Sequence, residues 1–203
     1  MKSLRLKKVA ELVDKDASVI DIGTDHAYLP VYLYKENITH NITATDVSSK
    51  VLESSLKTLK KYNLDNKIPL ILSDGFKNIH KTFDIAIIAG MGTTTIINIL
   101  KDTINLPNTL IIETQNDYHL LRNCLNELGY KIDKEIVINE KNIFYIIMKY
   151  IKGNEVLTKE ELLFGKSNNK EYFNYLYNLY NDLYNKSKKE EYLEYIQILD
   201  KLK

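Results

Sequence analysis

The chain has 203 residues, 44% of them hydrophobic, and a formal net charge of +1. That length supports one ordinary domain with a real core plus a small appendage, and the charge balance by itself announces no nucleic-acid partner. The single cysteine, Cys124, excludes an internal disulfide and a thiolate metal cluster.

The first residues are Lys-rich and amphipathic, with no long apolar leader, and no run approaches the length of a membrane span. A cytoplasmic protein without a membrane partner is therefore expected. Leu4, Leu6, Val9, Leu12 and Val13 recur at helical spacing and predict a first helix. Residues 18–22 read as a short apolar strand interrupted by Asp21. Gly23 ends it, and a helix follows from Ala27 to about Glu36. Residues 41–46 predict a second strand. Ser48 can cap the next helix, which carries Val51, Leu52, Leu56 and Leu59 on one face. A third strand covers 68–72, and a fourth, apolar except for Asp84, covers 83–89. Gly90, Met91 and Gly92 follow it, then a helix over 93–100. The fifth strand covers 109–113, and the helix over 119–128 ends at Gly129 in the C′ position.

The pattern then changes. Residues 130–138 and 142–151 are two strands joined by a short turn around 139–141, which makes them an antiparallel hairpin. Five βα units followed by a hairpin is the order of a class I methyltransferase: a Rossmann-like, doubly wound sheet ending in an antiparallel hairpin. A dinucleotide dehydrogenase would continue with parallel βα units. The domain boundary is placed at Gly153. Beyond it, Tyr172, Leu176, Leu179 and Leu183, then Tyr192, Ile196, Leu199 and Leu202, predict a helical coiled-coil hairpin over 154–203, its apolar stripes buried against each other. The Tyr stripe is packing first, with polar rims that could touch RNA.

The loops after strands one to four each carry acid or glycine, at the carboxyl ends where open α/β sheets bind ligands. Gly23 allows close backbone approach. Asp25 and His26 stand where a dinucleotide loop would carry more glycine. Asp46, with Val47 after it, ends strand two, where an acid meets ribose hydroxyls. Asp74 and Gly75 end strand three, where a side chain accepts from an adenine amino group. Gly90, Met91 and Gly92 border the reacting substrate. The four histidines, 26, 40, 80 and 119, show no ligand spacing, so no metal is expected.

Residues 21–30 (Asp-Ile-Gly-Thr-Asp-His-Ala-Tyr-Leu-Pro), residues 88–92 (Ile-Ala-Gly-Met-Gly), and a fifth strand running into Gln115-Asn116 resemble the bacterial tRNA (adenine(22)-N(1))-methyltransferase family. Arg5-Leu6, Val9-Ala10 and Phe164-Gly165 are similar too. The resemblance implies S-adenosylmethionine as cofactor, methylation of adenine N1 in the D-arm region of tRNA, and a C-terminal coiled-coil hairpin. It makes Asp21, Gly23, Asp46, Val47, Asp74, Gly75, Gly90, Met91 and Gly92 the cofactor set. For such a reaction an acceptor for the adenine 6-amino group stabilises the positive charge the ring gains, and either Asp25 or the carbonyls around Gly90 and Met91 supply it. Asp25 is the candidate catalytic residue, and Arg5, His26, Tyr28, Gln115 and Asn116 are the substrate set. Each keeps a plainer alternative. Asp21 can bond its own loop, Asp25 or His26 can cap the next helix, Tyr28 can be core, and Gln115 and Asn116 can close a turn. The basic faces Lys2-Arg5-Lys7-Lys8 and Lys57-Lys60-Lys61 are solvated surfaces or phosphate contacts. Two departures bear on the substrate loop: Thr93 where the family has a further glycine, and Thr-Gln-Asn where it has Gln-Pro-Asn. A small-molecule methyltransferase, and an inactive cofactor-binding module recruiting a partner through its hairpin, are the competing readings. The sequence names no protein partner.

Overall fold

The computed structural model describes residues 3–114 and 116–203. In chain order it has α1 (Leu4–Ala10), β1 (Val19–Ile22), α2 (Tyr28–Lys35), β2 (Ile42–Asp46), α3 (Ser49–Lys61), β3 (Leu70–Leu72), β4 (Ile85–Met91), α4 (Thr93–Lys101), β5 (Thr109–Thr114) and α5 (Tyr118–Glu127). There follow β6 (Tyr130–Glu140), β7 (Ile143–Lys152), α6 (Lys159–Phe164), α7 (Lys170–Ser187) and α8 (Glu190–Leu202). The strands form one sheet in the order β3-β2-β1-β4-β5-β7-β6. The first five strands run parallel; β7 pairs antiparallel with both β5 and β6. Strand order reverses between β1 and β4, the point at which such sheets open a ligand crevice.

The parallel strands are apolar on both faces because helices cover both. Ile20, Ile22, Ile88 and Ile112 face a core shared with α4, α5 and the C-terminal helices. Val19, Ile85, Ile87 and Ile111 face a second core closed by α1, α2 and α3. Each such buried aliphatic side chain contributes about 1.5–3 kcal/mol. By strand alternation Asp21 shares the face of Val19, a carboxyl facing an apolar layer.

Several boundaries differ from the sequence expectation. Helix α1 stops at Ala10, but Leu12 and Val13 stay buried in the turn that follows, so the apolar spacing outruns the helix. Strand β4 extends through Met91, with a register shift between Ala89 and Met91 around Gly90 at φ +83°. The hairpin turn is Lys141-Asn142, not 139–141; both residues have positive φ (56° and 64°), the pairing a two-residue type I′ turn requires. The sequence reading omitted α6, although Thr158 and Glu161 form a full capping box at its start.

Helices α7 and α8 pack on each other, and they also join the sheet core through Tyr172, Phe173, Leu176, Ile198 and Leu199. The stripes are therefore not buried only against themselves. A buried ion pair secures this junction. Arg122 of α5 reaches Glu135 of β6 at 3.0 Å and donates to the carbonyls of Leu162 and Leu163 on α6. Gly165, at φ +87°, lies against that pair, where a Cβ would collide with the Glu135 carboxylate. The Phe164-Gly165 motif thus belongs to the seam between the sheet and the helical hairpin.

Candidate functional site

The loop after β1 is held by backbone. Gly23 N–H and Thr24 N–H both donate to the Thr45 carbonyl at 2.9 Å, which ties this turn to β2. Gly23 has φ +74°, and a Cβ there would collide with Met91 Cε. The loops of β1 and β4 therefore touch; a side chain at 23 would displace the Met91 tip and strain a left-handed backbone, so the position favours glycine. Asp25 (φ 51°) and Ala27 (φ 56°) are both left-handed without being glycine. Two such residues within three positions store backbone strain, which collects at functional sites. The Ser55 hydroxyl donates to the Asp25 carbonyl and fixes the turn against α3.

The side chains of this loop diverge. Asp21 is buried, and burial pushes its carboxyl up from 3.8 to about 6; the nearby Thr24 hydroxyl opposes this, and the charge of Asp46 adds to it. The Thr24 hydroxyl is buried beside that carboxyl. The Asp25 side chain is 77% exposed and lies 3.7 Å from His26 Nε2. It does not cap α2, whose N-cap is Ala27 with no side-chain hydrogen bond. The His26 and Tyr28 rings stand 5.4 Å apart, and Tyr28 is 52% exposed, outside the core.

After β2, Asp46 accepts from the Ser48 N–H at 2.9 Å, which leaves its other oxygen for a ligand. Val47 beside it is 69% exposed, an apolar face on the rim. After β3, Asp74 is exposed and paired with Lys77 at 2.6 Å. Gly75, at φ +56°, packs so closely on Ile99 that a Cβ would lie 2.9 Å from Cγ2.

The β4–β5 side is built from side chains. Glu113 is fully buried, and its Oε2 accepts from Gly90 N–H at 2.8 Å and from Arg5 at 2.5 Å. Burial raises the Glu113 carboxyl above its ordinary range, and the Arg5 charge and the two hydrogen bonds oppose that. Arg5 also lies over the Tyr145 ring, 5.6 Å from its centroid. Its helix is anchored by Glu140, which accepts from the Ser3 hydroxyl and from Leu4 N–H. Thr93 meets Thr114 at 2.8 Å, bonds the Asn116 carbonyl and donates its N–H to Asn116 Oδ1 at 3.4 Å. The Thr114 oxygen also stands 3.0 Å from the Met91 carbonyl, the alternative acceptor for its single proton when it does not donate to Thr93. Thr93, the first departure from the family pattern, thus bonds Thr114, the residue that opens the second, Thr-Gln-Asn, segment.

These contacts join Gly23 to Met91, Gly90 to Glu113 and the Thr93 loop to Asn116. The guanidinium of Arg5 is turned inward to Glu113, while Lys7 stays on the exposed face. Gln115 and Lys2 lie outside the described residues. Sequence reasoning missed Glu113, Thr93, Thr114 and Glu140. The signal for Glu113 was available: an acid closing an otherwise apolar strand. Among the described residues no group of three or more His, Cys, Asp or Glu could hold a metal, and no helix is long and apolar enough to cross a membrane. Chemically, the crevice offers buried acid, an exposed acid, an exposed apolar rim and bare backbone. That donor set suits a ligand with hydroxyls, a flat ring and a positive charge.

A family model described as a methyltransferase domain matches residues 2–148. A Mycoplasma genitalium chain provisionally named a tRNA methyltransferase is 32% identical over 168 residues, covering 79% of this chain and 76% of that one. The tRNA (adenine(22)-N(1))-methyltransferase of Bacillus subtilis is 30% identical over 150 residues, covering 72% of this chain and 63% of that one. The structure of M. capricolum TrmK with the cofactor product S-adenosyl-homocysteine superposes with a TM-score of 0.87 at 31% identity. That match covers 100% of this chain and 96% of that one.

Proposed function

Because this chain belongs to the tRNA (adenine(22)-N(1))-methyltransferase family, we propose that it transfers a methyl group from S-adenosylmethionine to N1 of adenine 22 in the D-arm region of tRNA. The observation that carries the reading is the contact of Gly23 with Met91 at the strand-order reversal, flanked by Asp21, Asp46 and Asp74 on three successive strands. The residues fit that cofactor. Asp21, buried at the end of β1, suits its cationic methionine end. Asp46 suits the ribose, Val47 the ring face and Asp74 the adenine amino group. Gly23, Gly75, Gly90 and Gly92 leave the backbone bare for close approach.

The bound cofactor supplies an electrophilic methyl on a sulfonium. The chain supplies position and field. No residue has to remove a proton from N1, because its lone pair is free. Glu113 and Thr93 hold the Gly90–Gly92 loop and Asn116, so the adenine is presented in one orientation. Asp25 is assigned as the acceptor for the adenine 6-amino group, which stabilises the positive charge that the ring gains. His26, Tyr28 and Asn116 are assigned to the base, and Gln115 keeps that assignment from the sequence. Residues 1–153 are assigned the chemistry and 154–203 the RNA-holding surface. Such an enzyme works with tRNA in the cytoplasm.

The test is methyl transfer from labelled cofactor into total tRNA, followed by nucleoside mapping. N1-methyladenosine at position 22 is expected, and label in small molecules alone defeats the reading. Asp25→Asn removes the charge while tolerating the left-handed backbone. It should lower turnover by roughly two orders of magnitude with cofactor affinity nearly unchanged. Near-normal turnover would return Asp25 to a loop-shaping role.

A further inference from the structure

Beside the crevice lies a second concavity of about 590 Å³ between the start of α5, the β6–β7 turn and helices α7 and α8. Its size falls within the range of cavities that bury small ligands, about 300–1,000 Å³. It begins at Asn116, the residue bonded to Thr93, so it continues the candidate site without a break. From there it runs along α7 to Leu183; from Tyr172 that is about 16 Å at the helical rise. Its walls are aromatic. Phe144 lies 5.0 Å from Tyr175, and Tyr180 lies 5.8 Å from Tyr192. Tyr175 is 46% exposed, so one part of its ring rests on Phe144 and the rest is open to the groove.

The polar groups are sorted by position. Asn116, Asp117 and Asn142 stand at the near end and Glu191 along the wall, offering acceptors for amino groups and repelling phosphate. Lys186, Lys188 and Lys189 are exposed at the far tip, where Lys188 lies over the Tyr184 ring and Lys189 over Tyr192. Aromatic walls edged by these acceptors and by His119, with the lysines only beyond them, suit a base inside and its backbone outside. We propose that this groove is a second nucleobase subsite, which takes an unstacked base of the tRNA adjoining the target adenine. This rests on the enzyme acting on tRNA. Drawing the neighbour into the groove would help expose the target, because a base cannot be reached inside a stack.

The experiment titrates full-length wild type, Tyr175→Ala and Tyr175→Phe with a tRNA transcript carrying 2-aminopurine next to adenine 22. Expected are quenching of the probe in wild type, its loss in Tyr175→Ala with about fivefold to hundredfold weaker tRNA binding, and recovery in Tyr175→Phe. Affinity for S-adenosyl-homocysteine should stay the same in all three, which certifies the fold. Methylated transcript with no quenching, or equal quenching and affinity in Tyr175→Ala, overturns the subsite and leaves the enzyme assignment standing. A wild-type dimer abolished by Tyr175→Ala would make the groove a protein interface and overturn it too. TRNA left unmethylated by wild type overturns the enzyme assignment, and the subsite with it.

Discussion

On the β1–β3 side of the crevice the rim acids bond close to themselves in sequence: Asp46 to the N–H of Ser48, Asp74 to the ammonium of Lys77. On the β4–β5 side the partners are remote. Gly90 is held by Glu113, Thr93 by Asn116 and Glu113 by Arg5, at separations of 23, 23 and 108 residues. The first side needs little more than strand ends and glycines, and its geometry follows once β1, β2 and β3 lie in register. The second exists only when α1, β4 and β5 have met. A cofactor common to many enzymes can be held by generic strand-end chemistry. A particular substrate needs a loop shaped by contacts between distant parts of the chain.

Removing the remote partner should break the second side most severely. Arg5→Ala leaves the Glu113 carboxylate buried without its cation, a loss of about 3–5 kcal/mol. Urea denaturation should show a lower midpoint, and methyl transfer should fall more than cofactor affinity does. An unchanged midpoint would mean that the pair does not hold the loop.

The first side can be probed through protons. The folded protein holds a proton on Asp21 up to about pH 6 that the unfolded chain loses near pH 3.8. Stability therefore decreases as pH rises through that window, by about 3 kcal/mol in total, and levels above it. In the same window cofactor affinity should rise with pH, because the ionised carboxylate meets a cation. Asp21→Asn should abolish both trends, as read by thermal unfolding and calorimetry across pH 4–7. A pH-independent affinity would remove Asp21 from the cofactor.

A smaller effect sharpens the contrast. Asp46→Ala should weaken cofactor binding about tenfold, the loss of one charge-assisted contact. Substrate-loop geometry should not change, because among the described residues no side-chain hydrogen bond links Asp46 to the β4–β5 network. Calorimetry with S-adenosyl-homocysteine reads the first quantity, and the KM for tRNA at saturating cofactor reads the second.

The alternation of apolar runs with helical spacing located the five βα units, because strands buried on both faces leave no other reading for runs such as 85–88. Ser48 and Gly129 marked helix ends because capping is a local hydrogen-bonding demand. The hairpin turn was placed too early because Asn139 carries the same local turn signal as Asn142; the pairing of Glu140 with Ile143 keeps 139–140 in the strand and leaves Lys141-Asn142 as the left-handed turn. Helix α6 was legible in its capping box and was passed over because it is six residues long with no repeating stripe.

What the sequence determined by itself is the order of strands and helices, the acids and glycines at the strand ends and the family motif at 21–30. All of these are set by periodicity, capping and backbone freedom within a few residues. What only the tertiary structure decided is the facing of Glu113 to Arg5 and Gly90, the bonding of Thr93 to Thr114, and the packing of α7 and α8 onto the sheet core. The reason is range. A buried carboxylate finds its cation by desolvation and Coulomb attraction across space, and neither leaves a mark in the spacing of residues 108 apart.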